Sequence, residues 1–201
     1  LPYPIASYFF RKNNPRKERE GNVKKLITVS RISPEKNLVV FLEAMPFVKK
    51  YFSLTIVGEG IEKKRLEEKT KKLNLQSAVN FLGWVKNEDL PSLFENHDFF
   101  ISPSGFETFG ITYIEALATG LPCIALDYPV SREVIPNNMA IFVKNLDPKE
   151  WARRLNELFF NPAMEKSLRG NIAKDYRLLR QYREKESTQR LVEIYKEITA
   201  E

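Results

Sequence analysis

"DFFISPSGFETFGITYIEALATGLPCIALD", residues 98–127, contains one whole repeat of the fold. The apolar run at residues 99–101 ends at Ser102-Pro103-Ser104-Gly105. Apolar and small residues then follow from Ile111 to Leu121, and a second apolar run starts at Cys123. A strand, a loop, a helix and a second strand with no hairpin signal between them give two parallel strands joined by a crossover. Between residues 111 and 126 the only carboxylate is Glu115. Taking an ionised carboxylate out of water costs several kcal/mol unless a partner or a hydrogen bond compensates, so the question is what Glu115 holds.

The same alternation extends in both directions. Residues 25–32 (KLITVSRI) read as a strand, and a helix follows with Leu38, Phe41, Leu42 and Met45 on one face, ended or kinked by Pro46. FSLTIVGEG gives a strand closed by glycines, residues 61–75 an exposed helix, AVNFLGW a third strand, and NEDLPSLFENH a short helix. Past the opening stretch, MAIFV (residues 139–143) is a sixth strand. Asp147, Pro148 and Glu150 then supply an N-cap acid, a first-turn proline and a first-turn acid. The helix they start buries Trp151, Leu155, Leu158 and Phe159 and ends at Asn161-Pro162. The tail is helical, with Leu191, Ile194, Tyr195 and Ile198 as an apolar stripe. Near-continuous apolar strands alternating with helices predict a doubly wound α/β domain, about six parallel strands with helices on both faces. Residues 1–23, with three prolines and Asn13-Asn14, read as a lead-in segment or linker rather than core, which leaves residues 24–201 as the domain.

Composition sets the outer bounds. At 201 residues, 43% hydrophobic and 29% charged, the chain has the makings of one full core, and no apolar run reaches the roughly 20 residues of a spanning helix. Net charge is +6, concentrated in residues 11–25 and 166–196, which favours anionic partners without choosing among phosphates, acidic lipids and nucleic acid. The one cysteine, Cys123, sits in an apolar segment and reads as a small buried hydrophobe, which fits a reducing compartment, the cytoplasm by default. The chain starts at Leu1-Pro2 with neither an initiator Met nor a signal pattern and reads as a fragment of something longer.

Open parallel sheets bind ligands beyond the carboxyl ends of their strands. Arg31 and Lys36 follow the first strand, Gly58-Glu59-Gly60 the second, Trp84-Val85 the third, and residues 102–110 the fourth. The helix start at Phe109, Gly110 and Ile111 offers free amides and the positive end of a helix dipole, an anion site to which Arg31 and Lys36 add cationic side chains; a diphosphate fits. Glu115, acceptor-only, suits a pair of neighbouring hydroxyls such as those of a ribose, and Glu107 falls on the far side of the phosphate. Each residue has a plainer reading beside this one. Glu107 is then an acid near a helix N-terminus and Glu115 a partner for Arg132 or another base in a structural ion pair. Gly58-Glu59-Gly60 becomes a strand-ending turn, His97 a structural histidine, and Trp84 and Trp151 packing residues. The sequence contains no Asp-x-Asp pair, no Walker pattern and no Ser/His/Asp set.

Ser102-Pro103-Ser104, Glu107, Phe109-Gly110 and residues 115–122 (EALATGLP), with seven residues between the two glutamates, resemble the donor-site signature of retaining GT-B glycosyltransferases of glycosyltransferase family 4. SRISPEKN resembles that family's Arg/Lys diphosphate loop, VNFLGWV its base-binding loop, and the tail its C-terminal helices. The resemblance runs from about Lys24 to the end. It implies a Rossmann-like, C-terminal half of a GT-B enzyme in which Arg31 and Lys36 bind the donor diphosphate and support departure of the nucleotide. It further implies that Glu107 contacts the transferred sugar, Glu115 the ribose, the backbone at Phe109, Gly110 and Ile111 phosphate or sugar, and the Val85 backbone the base. Transfer from a UDP- or GDP-sugar would proceed with retention and without a metal or other cofactor. Ser30 stands where the family usually has glycine, and the acceptor half of the enzyme, or a partner subunit carrying it, is missing. The chain would then be inactive in isolation. It would bind no nucleic acid, and peripheral attachment at the inner face of a membrane stays open. Other readings are a non-catalytic nucleotide-sugar-binding subunit, a GT-B-like nucleotide-sugar epimerase, and a binder of phosphate backbones or acidic membranes through net charge.

Overall fold

The computed structural model describes residues 3–10 and 22–199. The rest of the lead-in segment, with the basic run that begins at Arg11, lies outside the described residues. Six strands, β1 (Lys24–Val29), β2 (Phe52–Val57), β3 (Val79–Gly83), β4 (Phe99–Ser102), β5 (Cys123–Leu126) and β6 (Ala140–Val143), form one parallel sheet in the order β3-β2-β1-β4-β5-β6. Leu26 of β1 stands opposite Leu54 on one side and Phe99 on the other. The chain builds outward from β1 to β3, returns to the opposite side of β1 with β4, and builds outward again. The loops that leave β1 and β4 therefore diverge, and the crevice between them is the switch point at which such sheets take ligands.

The helices are α1 (Val39–Ala44), α2 (Lys63–Lys72), α3 (Leu90–Glu95), α4 (Ile111–Ala118), α5 (Pro129–Val134), α6 (Pro148–Phe160), α7 (Pro162–Lys174) and α8 (Glu184–Thr199). Phe41, Leu42, Leu66, Trp151 and Leu155 pack on one face of the sheet with Leu54, Ile56 and Phe99. Phe94, Tyr113, Ile114 and Leu117 pack on the other with Ile27, Phe100 and Ala125. Asp147 caps α6 by accepting from the Lys149 amide at 3.0 Å, and Pro148 occupies the first helical position. That start turns Trp151 inward. It is fully buried, lies edge-on to Phe41 with centroids 5.2 Å apart, and donates its indole N–H to Asn145 O at 2.9 Å. The expected six-stranded, doubly wound sheet with helices on both faces is the observed architecture.

Several local differences have physical causes. Pro46 does not kink a long helix. It ends α1 at Ala44, and the chain continues as the 3-10 turn Met45–Phe47, because a proline offers no N–H to the next turn. Helix α5 is absent from the sequence reading. It is held by Ser131, whose hydroxyl donates to Leu126 O and accepts from the Tyr128 amide, a local set of bonds without an apolar period. Strands β2 and β3 are not continuously apolar: Ser53 and Thr55 are half-buried and Asn80 and Leu82 exposed, so this end of the sheet has one partly open face. Trp84 is 70% exposed and is not a packing residue. The lead-in segment contributes to the core, since Ile5, Phe9 and Phe10 are buried in the second cluster. Ile5 pairs in parallel with Arg183, donating to Tyr182 O at 2.7 Å and accepting from the Glu184 amide at 3.1 Å.

Candidate functional site

The loop after β1 is set by two glycines on the loop after β2. A Cβ at Gly58, whose φ is +132°, would lie 1.9 Å from Ser30 O, and one at Gly60 2.1 Å from Ile32 O. Only bare backbone fits there, so the turn reading of Gly58-Glu59-Gly60 is the one the structure bears out, and its role is to let two loops touch. The Ile32 amide donates to Glu59 O at 2.9 Å across this contact. Ser30 is half-buried here, and its hydroxyl has no hydrogen-bond partner among the described residues.

From this base the chain turns through the 3-10 segment Pro34–Lys36 to Asn37, at φ +52°. Asn37 Nδ2 donates to Pro103 O at 3.3 Å, tying the β1 loop to the β4 loop. Lys36 completes the clasp: its ammonium donates to Glu107 Oε1 at 2.7 Å, Phe106 O at 3.1 Å and Ser104 Oγ at 3.4 Å. An ammonium has three donors, and here each has an acceptor. The Lys36 and Glu107 side chains are only 14% and 17% exposed, so an anion that approaches Lys36 competes with Glu107 for it. Arg31 stands apart from this pair, its side chain 76% exposed and 3.9 Å from Glu35.

Gly110 is the N-cap of α4 in the left-handed region, φ +59°, and a Cβ there would press on Val134 and Tyr113. The amides of the first turn of α4 have no partner within the helix, apart from the Tyr113 amide, which donates to Gly110 O at 3.0 Å. Phe109, 54% exposed, lies 5.2 Å from the Tyr3 ring. Ile111 is half-buried and, with Phe109, lines a groove of about 430 Å³ between the lead-in segment and Tyr182. Lys36, Glu107 and Glu115 are not among the groove's walls, so it adjoins the amide end of α4 without containing the charged residues.

Glu115 is 5% exposed and faces an amide rather than an arginine: Asn87 Nδ2 donates to its Oε1 at 3.1 Å. Burial pushes its pKa up to about 7, and the Asn87 hydrogen bond pulls the other way. Arg132 is engaged elsewhere, bidentate on Asp127 at 2.6 Å and on Asn137, so the pairing of Glu115 with Arg132 falls. Val85, two residues before Asn87, is half-buried and packs against the second core cluster. Sequence reasoning missed the engagement of Asn87 with Glu115, and no local spacing announces a contact between residues 28 apart. His97 is satisfied by Leu93 O at 2.7 Å and Thr55 Oγ1 at 2.9 Å, and Cys123 is fully buried. Among the described residues no group of three or more His, Cys, Asp and Glu is placed to hold a metal ion.

Comparison with known proteins bears on the fold and the family. The chain is similar to alpha-monoglucosyldiacylglycerol synthase of Streptococcus pneumoniae, 37% identical over 119 residues, 58% of this chain and 27% of that protein. Its fold is that of a glycosyltransferase from Rickettsia africae (TM-score 0.79, 20% identity, 98% of this chain and 56% of that one). It also matches Anabaena HepE in complex with UDP-glucose (TM-score 0.77, 21% identity, 88% of this chain and 49% of that one). The chain thus spans about half the length of these solved relatives and about a quarter of the curated one. The sequence model of glycosyl transferases group 1 matches residues 10–175, and the chain belongs to that family.

Proposed function

We propose that this chain is the donor-binding, C-terminal half of a retaining glycosyltransferase that takes a nucleotide-diphosphate sugar without a metal ion. The observation that carries the reading is the Lys36–Glu107 contact between the loops after β1 and β4, at the switch point of the sheet, with Glu115 buried in the helix that follows. The diphosphate lies against the amides of Gly110 and Ile111 and against Lys36, with Arg31 swinging in from solvent. Glu115 accepts ribose hydroxyls, the Val85 backbone meets the base, and Glu107, released from Lys36 by the incoming anion, turns to the sugar. Cationic groups fixed at the leaving phosphate stabilise the charge that develops as the glycosidic bond breaks, which is where such sites act on rate. HepE, solved with UDP-glucose, supports the choice of ligand class, and the half-length match supports a second, acceptor-binding half on the same or a partner chain.

Calorimetry of this chain with UDP and GDP tests the reading. Binding of one of them is expected, weakened roughly tenfold or more by Lys36→Ala and by Glu115→Ala, the loss that follows removal of a charged hydrogen-bond partner. No binding of either nucleotide, or binding indifferent to both substitutions, overturns it. Reconstitution with the acceptor-binding half then tests transfer, with Glu107→Ala as the inactive control.

A further inference from the structure

The segment ahead of β1 reaches the candidate site. Ile5, Phe9 and Phe10 are buried, Phe9 with its ring 6.3 Å from that of Phe94. This anchorage holds Tyr8, itself 46% exposed, over the turn Asn87–Asp89. The Tyr8 hydroxyl donates to Asn87 Oδ1, and Asn87 Nδ2 donates to Glu115 Oε1 at 3.1 Å. A primary amide has one accepting end and one donating end. With the phenol donating to Oδ1, the amide presents its NH2 to Glu115. In the opposite orientation Oδ1 faces Glu115, and that contact is satisfied only by a protonated carboxyl.

We propose that Tyr8 and Asn87 are positioning residues that hold Glu115 as an ionised acceptor, with one oxygen engaged and the other free for the neighbouring hydroxyls of a ribose. The ligand's identity rests on the nucleotide-sugar reading; the chain of hydrogen bonds does not. At neutral pH the carboxyl stands near the balance of its two forms, burial favouring the neutral one and the Asn87 amide the charged one, so a change at the amide shifts that balance. Among the described residues, burial and Asn87 are what act on Glu115 itself. Desolvation, and after it the charges of Glu115, of Glu88 on the turn with Asn87 and of Glu184 at the start of α8, raise the pKa of Tyr8, so the phenol keeps its proton. Lys86 lies 3.8 Å from Glu88.

Carbon-13 NMR of the glutamate carboxyls reads the relay without any ligand, the Glu115 resonance being identified by its loss in Glu115→Gln. In Tyr8→Phe the titration midpoint should rise by about half a pH unit or more, as it does when a hydrogen bond to the charged form is lost. Asn87→Ala should raise it too, and adding Tyr8→Phe to Asn87→Ala should move it no further. An unchanged midpoint in folded Tyr8→Phe, or a Tyr8→Phe shift that persists in the Asn87→Ala background, overturns the proposal. UDP calorimetry between pH 6 and 9 supplies the second arm. At pH 7 Tyr8→Phe should bind about two- to threefold more weakly than the native chain, and the two should coincide at pH 9, where Glu115 is ionised in both. A gap of the same size at both pH values overturns the proposal, since a merely structural role would give that. A moved midpoint in a chain that binds no nucleotide supports the relay and overturns the nucleotide reading alone.

Discussion

Glu115 sets a pH dependence that runs opposite to that of a salt-bridged acid. Its folded pKa, about 7, lies above its ordinary value of 4.5, so the native protein binds the proton more tightly than the unfolded chain does. Its effect on stability is therefore harmless below the unfolded value and grows as pH rises through 7, reaching on the order of 3 kcal/mol. Glu115→Gln removes the charge and keeps the shape. Urea unfolding should show the variant more stable than the native chain at pH 8, with the pH-dependent part of the gap reduced to roughly a quarter at pH 5. A native chain that is more stable at pH 8 than at pH 5 through this residue would contradict the account. That a single acid lies buried in an apolar run was legible in the sequence. Its partner was not, because Asn87 and Glu115 meet only through the fold.

At the scale of elements, local chemistry was readable and long-range chemistry was not. Asp147 and Pro148 announced the start of α6, and Asp147→Ala should cost about 1 kcal/mol, read as a lowered thermal midpoint with the sheet otherwise intact. Helix α5 escaped notice because its stability comes from the Ser131 hydroxyl and not from an apolar period. Strands β2 and β3 carry polar residues on one face, so the expectation of continuously apolar strands failed at that end of the sheet. The Lys36–Glu107 pair, 71 residues apart, was foreseen only as two members of one pocket; their direct contact depends on β1 and β4 being neighbours.

For the whole molecule, two cores on either side of one sheet make stability a shared property. Trp151 joins α6 to α1 and the first core, and Trp151→Ala should destabilise the protein by about 3–5 kcal/mol in denaturant titration. A loss below about 1 kcal/mol would mean that α6 is not integral to the fold. The fold class followed from the strand–helix alternation, whereas the strand order, and with it the crevice, came from pairings that no short window contains. The burial of Ile5, Phe9 and Phe10 was masked by the prolines and charges around them.

Ile5 has one more consequence. Its backbone is stitched between Tyr182 and Glu184, and Tyr8 lies three residues beyond the stitch. The two ends of the described chain are thereby tied together beside the site: the phenol that faces Asn87 is carried on a segment whose backbone partners are the residues leading into α8.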